Sequence, residues 1–279
     1  MMDSISDNLD ANKRSVFEPI SGDKYVDIHC HCLPAVDDGP STMSEALSLC
    51  RALVEDDICV VIATPHQLGR FSDCNESAEI REAVSVLNAE LKSNGIALSV
   101  MAGGDVRVDE RICQLLEVDK ILTLADGGRY ILLELPHQSF IDIEPLLIEL
   151  SSRGIESIIS HPERHGGLSG EPKILLKWLK HPVHLQITAS SLLGEFGSKA
   201  LESAWHLLSS GLAVLVATDS HDLSGRKPSM KAAFERISSQ LGPAVARLVC
   251  IENPSRVLKG CAIAPTKNIL ISSDKDKEL

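Results

Sequence analysis

The chain has 279 residues, enough for one large barrel or two modest domains around a sizeable core. Hydrophobic residues make up 44%, charged residues 24% and aromatics 3%, the profile of a globular protein whose core is built from Val, Ile, Leu and Ala. A net charge of −12 argues against a nucleic-acid binder, which needs a basic surface, yet leaves room for a small phosphorylated substrate over a local cluster of cations.

Residues 1–23 are polar, without the apolar stretch of a secretory signal, and read as a flexible leader. No apolar run approaches the length that spans a bilayer. The eight cysteines are scattered through apolar segments with no export signal before them, and read as reduced thiols of a cytoplasmic protein. Short apolar runs then recur at 24–29, 59–66, 96–105, 130–136, 156–162, 184–190 and 213–221, each bounded by turn residues, as expected of strands buried on both faces. Segments of helical period lie between them. Thr42 with Glu45 predicts a capped helix start, Asn94-Gly95 closes a helix over 76–93, and Arg153-Gly154 closes one over 143–152. The alternation predicts an α/β fold with a parallel sheet, most simply a seven-stranded (β/α) barrel, as one domain over 24–262. Residues 263–279 read as a polar C-terminal tail.

The polar residues sit where these strands end: His29 and His31, then His66, Asp105, Glu134, His161, and finally Asp219 and His221. Parallel strands of a barrel bring all such ends to one face, where such folds place their chemistry. Alternation along a strand puts His29 and His31 on one side and Ile28 and Cys30 on the other, so the histidines read as a chelating pair and Cys30 as core. Lone histidines near apolar strands are more often hydrogen-bonded core or surface residues, and His181, His184 and His206 are read that way. A set of imidazoles and carboxylates favours Zn2+, Mn2+ or Fe2+ over a cysteine-bound structural zinc. Its size suits two or three ions, with Asp105 able to bridge neighbours.

The segments "DIHCHCLPAVDDGP", "ATPH", "GGDVRV", "LLELP", "SHPERH", "LQITASSLLGEFG", "ATDSH" and "NPSRVLKG" occur in that order. Over residues 24–260 they resemble the polymerase-and-histidinol-phosphatase (PHP) superfamily. The match is to its branch of bacterial metal-dependent protein-tyrosine phosphatases of capsular and exopolysaccharide loci. The resemblance implies a distorted seven-stranded (β/α) barrel with a trinuclear site, usually of Mn2+, with Fe2+ and Zn2+ as alternatives. One ion would take His29, His31, Asp105 and Asp219; a second would take Asp105, Glu134 and His161. The third would take His66, His221 and an aspartate of the "DDG" pair, Asp37 being favoured over Asp38. Arg164 and Arg226 match the family's phosphate-binding positions. Hydroxide activated by the metals would attack phosphorus, with no covalent intermediate. The implied partner is a bacterial tyrosine kinase that phosphorylates itself and serves polysaccharide export. One departure stands out: the family usually has glutamate where this chain has Asp105, and a bridging carboxylate one methylene shorter has to move or release an ion. The Gly103-Gly104 pair before it is expected to let the backbone approach more closely.

Three rivals follow from the same residues. Cys250 to Arg256 has the Cys-x5-Arg spacing of a cysteine-nucleophile phosphatase loop, but Pro254 lacks an N–H and Glu252 adds repulsive charge, so the segment is read as a helix opened by Asn253 and Pro254. Histidinol phosphate or another small phosphomonoester is the alternative substrate within the superfamily. A barrel that binds metal poorly because of Asp105, and acts as a regulatory module, is the alternative of a different class.

Overall fold

The computed structural model describes residues 24–71, 74–136, 141–169, 172–266 and 269. The expected leader, and the expected tail apart from residues 263–266 and 269, lie outside the described residues. Strands form at the short apolar runs: β1 (Tyr25–Cys30), β2 (Ile58–Ala63), β3 (His66–Gln67), β4 (Ser99–Ala102), β5 (Asp105–Arg107), β6 (Tyr130–Glu134), β7 (Glu156–Ser160), β8 (Val183–Thr188) and β9 (Ala213–Ala217). Every pairing between them is parallel. They lie in two sheets, ordered β1-β2-β4 and β3-β5-β6-β7-β8-β9, with helices in the connections.

Two expected strands are each broken in two, for readable reasons. The 59–66 run stops at Thr64-Pro65, where proline has no N–H to give a ladder; its carbonyl instead accepts from Asp105 N at 3.1 Å. The 96–105 run stops at Gly103-Gly104. A Cβ there would lie 2.6 Å from Ile62 Cγ2 at Gly103 and 2.2 Å from Gln67 Oε1 at Gly104, so only glycine lets the neighbouring chains come this close. Beyond the strands, β1 and β9 are tied at their ends: His31 N donates to Ser220 O at 2.9 Å and Asp219 N to His29 O at 2.8 Å. The described ladder is therefore two parallel sheets joined at their corners, and not one continuous ring of seven strands.

The core divides in two. A large cluster joins the sheets to the surrounding helices and includes Cys30, Cys32 and Cys50, while a smaller one gathers Val26, Ile28, Ile62, Leu132, Ile158 and Leu215. Cys30 packs on the helix side as expected. Ile28 does not share its side: β1 has a register shift between Asp27 and Cys30, which breaks the simple alternation.

Helix ends follow local chemistry. Thr42 caps the helix Met43–Glu55 by accepting from Glu45 N at 3.2 Å, and Glu45 reaches back to Ser41 N at 2.7 Å. The helices Ser77–Ser93 and Glu144–Ser152 end before Gly95 and Gly154, which take left-handed φ of 66° and 76°. No described helix is long and apolar enough to cross a membrane.

Candidate metal centre

The strand order delivers His29 from β1 and His31 just past it, His66 from β3, Asp105 from β5 and Glu134 from β6. His161 follows β7 and Asp219 and His221 follow β9, with His161 and Asp219 turned inward by left-handed φ of 35° and 54°. Non-glycine residues rarely hold that conformation unless the surroundings impose it, and it is common at functional sites.

These side chains meet in four overlapping groups, each with ligand atoms within 4.8 Å of one another: His29, His31 and Asp219; His29, Asp105 and His161; His66, Asp105 and Glu134; His31, Asp38, His66 and His221. Asp219 Oδ1 lies 3.2 Å from His29 Nε2 and 3.5 Å from His31 Nε2. Asp105 Oδ2 lies 3.3 Å from His66 Nδ1 and 3.7 Å from His29 Nε2, so this shorter carboxylate still reaches between two groups. Both oxygens of Asp105 and Oδ1 of Asp219 are buried and accept no hydrogen bond. Buried carboxylate oxygens without donors are costly unless a cation serves them, and the donor set suits a hard or borderline divalent ion.

Asp37 does not join these groups; Asp38 stands where Asp37 was expected. The loop is pinned at Gly39, where a Cβ would sit 2.3 Å from the His31 carbonyl oxygen. Asp37 is thereby folded beneath the cluster, accepting from His31 Nδ1 at 2.5 Å, His66 N at 3.0 Å and Gly39 N at 3.0 Å. Its side chain is fully buried, whereas that of Asp38 is 41% exposed, with Oδ1 3.4 Å from both His66 Nε2 and His221 Nε2.

Outer contacts set the imidazoles. His29 Nδ1 meets Gln186 Oε1 at 2.9 Å, His31 Nδ1 meets Asp37, and His221 Nδ1 meets Asp219 O at 3.0 Å, so each Nε2 faces the cluster. Burial pushes His31 down to about 4, and burial with the Arg164 charge drives His161 well below the usual imidazole range. Both are therefore neutral, as ligands must be. Burial opposes charge on Asp219, yet His29 and Arg226 hold it well below the usual carboxylate range. The adjoining imidazoles of His221 and His66 do the same for Asp38.

Arginines line the open side. Arg164 and Arg226 both donate to Asp219 Oδ2, Arg226 Nη1 lies 2.7 Å from His221 Nε2, and Arg164 stacks at 4.2 Å over Phe196. Sequence reasoning missed two others. Arg107 lies 3.0 Å from Glu134 Oε2, and Arg70 lies 2.7 Å from Asp38 Oδ2. Arg107 is two residues past Asp105 on one strand and so shares its side, a signal that was available. Gln186, which alternates with His184 and Thr188 as a polar residue along β8, offered another. Together the cluster and the arginines bound a cavity of about 390 Å³.

His181, His184, His206 and Cys250 belong to none of these groups. His181 pairs with Glu144 at 3.1 Å and His184 with Glu156 at 2.8 Å; His206 sits in the last turn of the helix Ser198–Ser209. Cys250 is buried within the helical turn Leu248–Glu252, which runs straight into the helix Asn253–Leu258 carrying Arg256. That helix starts at Asn253 and Pro254 as expected, and the Asn253 side chain donates to Val214 O and Ala264 O, both at 2.9 Å. Burial pushes the Cys250 thiol far up, the opposite of what a nucleophile needs.

Parallel strands with a histidine–carboxylate cluster at their C-terminal ends define the class. The sequence pattern of the capsular polysaccharide synthesis family CpsB/CapC matches residues 25–259, and the chain belongs to that family. It is 32% identical over 239 residues to tyrosine-protein phosphatase YwqE of Bacillus subtilis, covering 85% of this chain and 93% of that protein. It is 27% identical over 240 residues to tyrosine-protein phosphatase CpsB of Streptococcus agalactiae serotype V, covering 84% and 98%. Among solved structures, one described as YwqE from Bacillus subtilis and CpsB from Streptococcus pneumoniae, metal-dependent tyrosine phosphatases, superposes with a TM-score of 0.82 at 32% identity, over 86% of this chain and 96% of that one. The phosphotriesterase homology protein from Escherichia coli, 13% identical with a TM-score of 0.56 over 86% and 99% of the chains, shares the fold alone.

Proposed function

We propose that this chain is a metal-dependent protein-tyrosine phosphatase, a phosphoric monoester hydrolase acting on phosphotyrosine. The carrying observation is a set of three buried carboxylate oxygens without hydrogen bonds, on Asp105 and Asp219, held among imidazole nitrogens beneath two arginines. Similarity over most of the chain to proteins named tyrosine phosphatases supports it.

The ligand assignment combines the resemblance with the groups above. One ion would be held by His29, His31 and Asp219 with Asp105 beside them; a second by Asp105 with Glu134 and His161, which lie in separate groups around that carboxylate; a third by Asp38, His66 and His221. Mn2+ is the proposed metal, with Fe2+ and Zn2+ as alternatives for the same donors. Such ions supply Lewis acidity and bring the pKa of bound water toward neutrality. Asp37 and Gln186 hold His31 and His29 with Nε2 forward. Arg164 and Arg226 grip the phosphoryl oxygens and neutralise charge that grows in the transition state. A phenolate leaves with little help from an acid, and no side-chain nucleophile is needed. The two sheets act as one distorted seven-stranded barrel, with β2–β3 and β4–β5 as single strands broken near their ends. The protein works in the cytoplasm on a bacterial tyrosine kinase that controls capsule or exopolysaccharide synthesis.

The test is phosphate release from a phosphotyrosine peptide after chelation, with and without Mn2+ restored, beside a histidinol phosphate assay. Metal-dependent release from the peptide alone is the expected result. Release from histidinol phosphate alone would move the function to that substrate, and release from neither would favour a regulatory module.

A further inference from the structure

One wall of the cavity takes no part in the chemistry above. Eight of its eleven lining residues are charged or titratable; the other three, Leu68, Gly69 and Phe71, all come from one tight turn. Phe71 N donates to Leu68 O at 3.0 Å, and Leu68 and Gly69 take left-handed φ of 68° and 59°. Gly69 packs on the side chain of Arg107, where a Cβ would come 3.0 Å from Cγ, so β5 fixes the turn against the site. The turn presents Phe71 beside the cluster: its ring stacks on His66 with centroids 5.6 Å apart and planes 14° apart, and the Arg70 guanidinium lies 4.8 Å from its centroid. Phe71 is half-buried and is the one phenyl ring lining the cavity among the described residues.

We infer that the turn Leu68–Phe71 is the subsite for the aromatic ring of the leaving group, with Phe71 as its wall, so that this segment selects aryl over alkyl phosphate esters. This rests on the phosphatase reading and deepens it. A phosphoryl group held by Arg164 and Arg226 carries its ester substituent away from the cluster, and the apolar surface of the cavity lies on this turn. An aryl ring gains offset or edge contacts with Phe71 and stacks with the planar Arg70 group. A short alkyl chain gains neither.

The experiment is calorimetric binding of phenylphosphonate and of inorganic phosphate to the full chain loaded with Mn2+, for the wild type, Phe71→Ala and Phe71→Tyr, with metal content measured in each. Phe71→Ala is expected to weaken phenylphosphonate by about 10-fold while phosphate shifts less than about 2-fold, and Phe71→Tyr is expected to restore the aryl affinity. Equal weakening of both anions would overturn the inference, because Phe71 would then only prop His66. Unchanged phenylphosphonate binding would overturn it too, placing the ring elsewhere. A wild type that binds the aryl anion through Phe71 but releases no phosphate from a phosphotyrosine peptide would sink the phosphatase reading and leave the ring subsite standing.

Discussion

Exchanging one carboxylate for an amide at Asp37 and at Asp38 separates a residue placed to orient a ligand from one proposed to be a ligand. Three N–H groups converge on the two Asp37 oxygens: His31 Nδ1 and His66 N on Oδ2, and Gly39 N on Oδ1. An asparagine has one acceptor oxygen, so in either orientation its NH2 meets an N–H. If the amide turns its oxygen toward His31, Gly39 N is left unsatisfied, a loss of about 1–3 kcal/mol of stability. If it turns the other way, His31 must accept at Nδ1 and carry its proton on Nε2, the nitrogen that faces Asp219 at 3.5 Å. Losing such a support typically costs about 10–100-fold in metal affinity, or roughly 1.4–2.7 kcal/mol. Asp37→Asn is therefore expected to bind its full set of ions at saturating Mn2+ and to surrender them at lower chelator concentration. Asp38→Asn, whose oxygen meets His66 and His221 directly, is expected to lose one ion outright. Metal-to-protein ratios by plasma mass spectrometry, with chelator titrations, read both outcomes. An Asp37→Asn protein short of one ion beside an Asp38→Asn protein with the full set would refute the assignment.

Three further outcomes follow from the same geometry. Arg164→Ala, which removes a guanidinium held between Asp219 and Phe196, should lower kcat for a phosphotyrosine peptide by about 10²–10³-fold with metal content unchanged; a near-normal kcat would exclude a role in charge stabilisation. Cys250→Ser should leave phosphate release within about 2-fold of the wild type, because a buried thiol with a raised pKa is not an activated nucleophile, and loss of turnover in a folded variant would revive the cysteine mechanism. Hydrogen bonds from Trp178 and then Lys177 hold Asp142 down to about 2, so its contribution to stability is complete above the unfolded value near 3.8 and is lost as pH falls toward 2. Asp142→Asn should therefore flatten that part of the acid unfolding curve, and parallel curves for the two proteins would show that the carboxylate is not held in this way.

Much of this site could be read along the chain because of where polar residues interrupt apolar strands. Parallel strands have equivalent ends, so His29, Asp105, Glu134 and Asp219 could be gathered on paper before any coordinates. What could not be read was set by contacts far apart in sequence. Asp37 and Asp38 are neighbours in a loop, and the N–H groups of His31, His66 and Gly39 that converge on Asp37 distinguish the two only in the folded chain. The register shift in β1 that parts Ile28 from Cys30 depends on pairing with β2. The broken strands, by contrast, were legible: Pro65 and the Gly103-Gly104 pair both announce a ladder that stops.

In the proposed site, Asp219 explains how a chain of net charge −12 would present an anion site at all. Its two oxygens face different tasks. Oδ1 points to His29 and His31, at 3.2 and 3.5 Å, and accepts no hydrogen bond; Oδ2 is held by Arg164 and Arg226. One carboxylate thus belongs both to the cation-binding cluster and to the arginine pair proposed to hold phosphate. The other rim arginines repeat the pattern, Arg107 on Glu134 and Arg70 on Asp38. A cation at any of these carboxylates weakens its hold on the paired guanidinium, because one negative charge is then shared between two partners. If metals and phosphate bind as proposed, the arginines would become better phosphate donors as the metals bind, so the two affinities would be linked and each would raise the other.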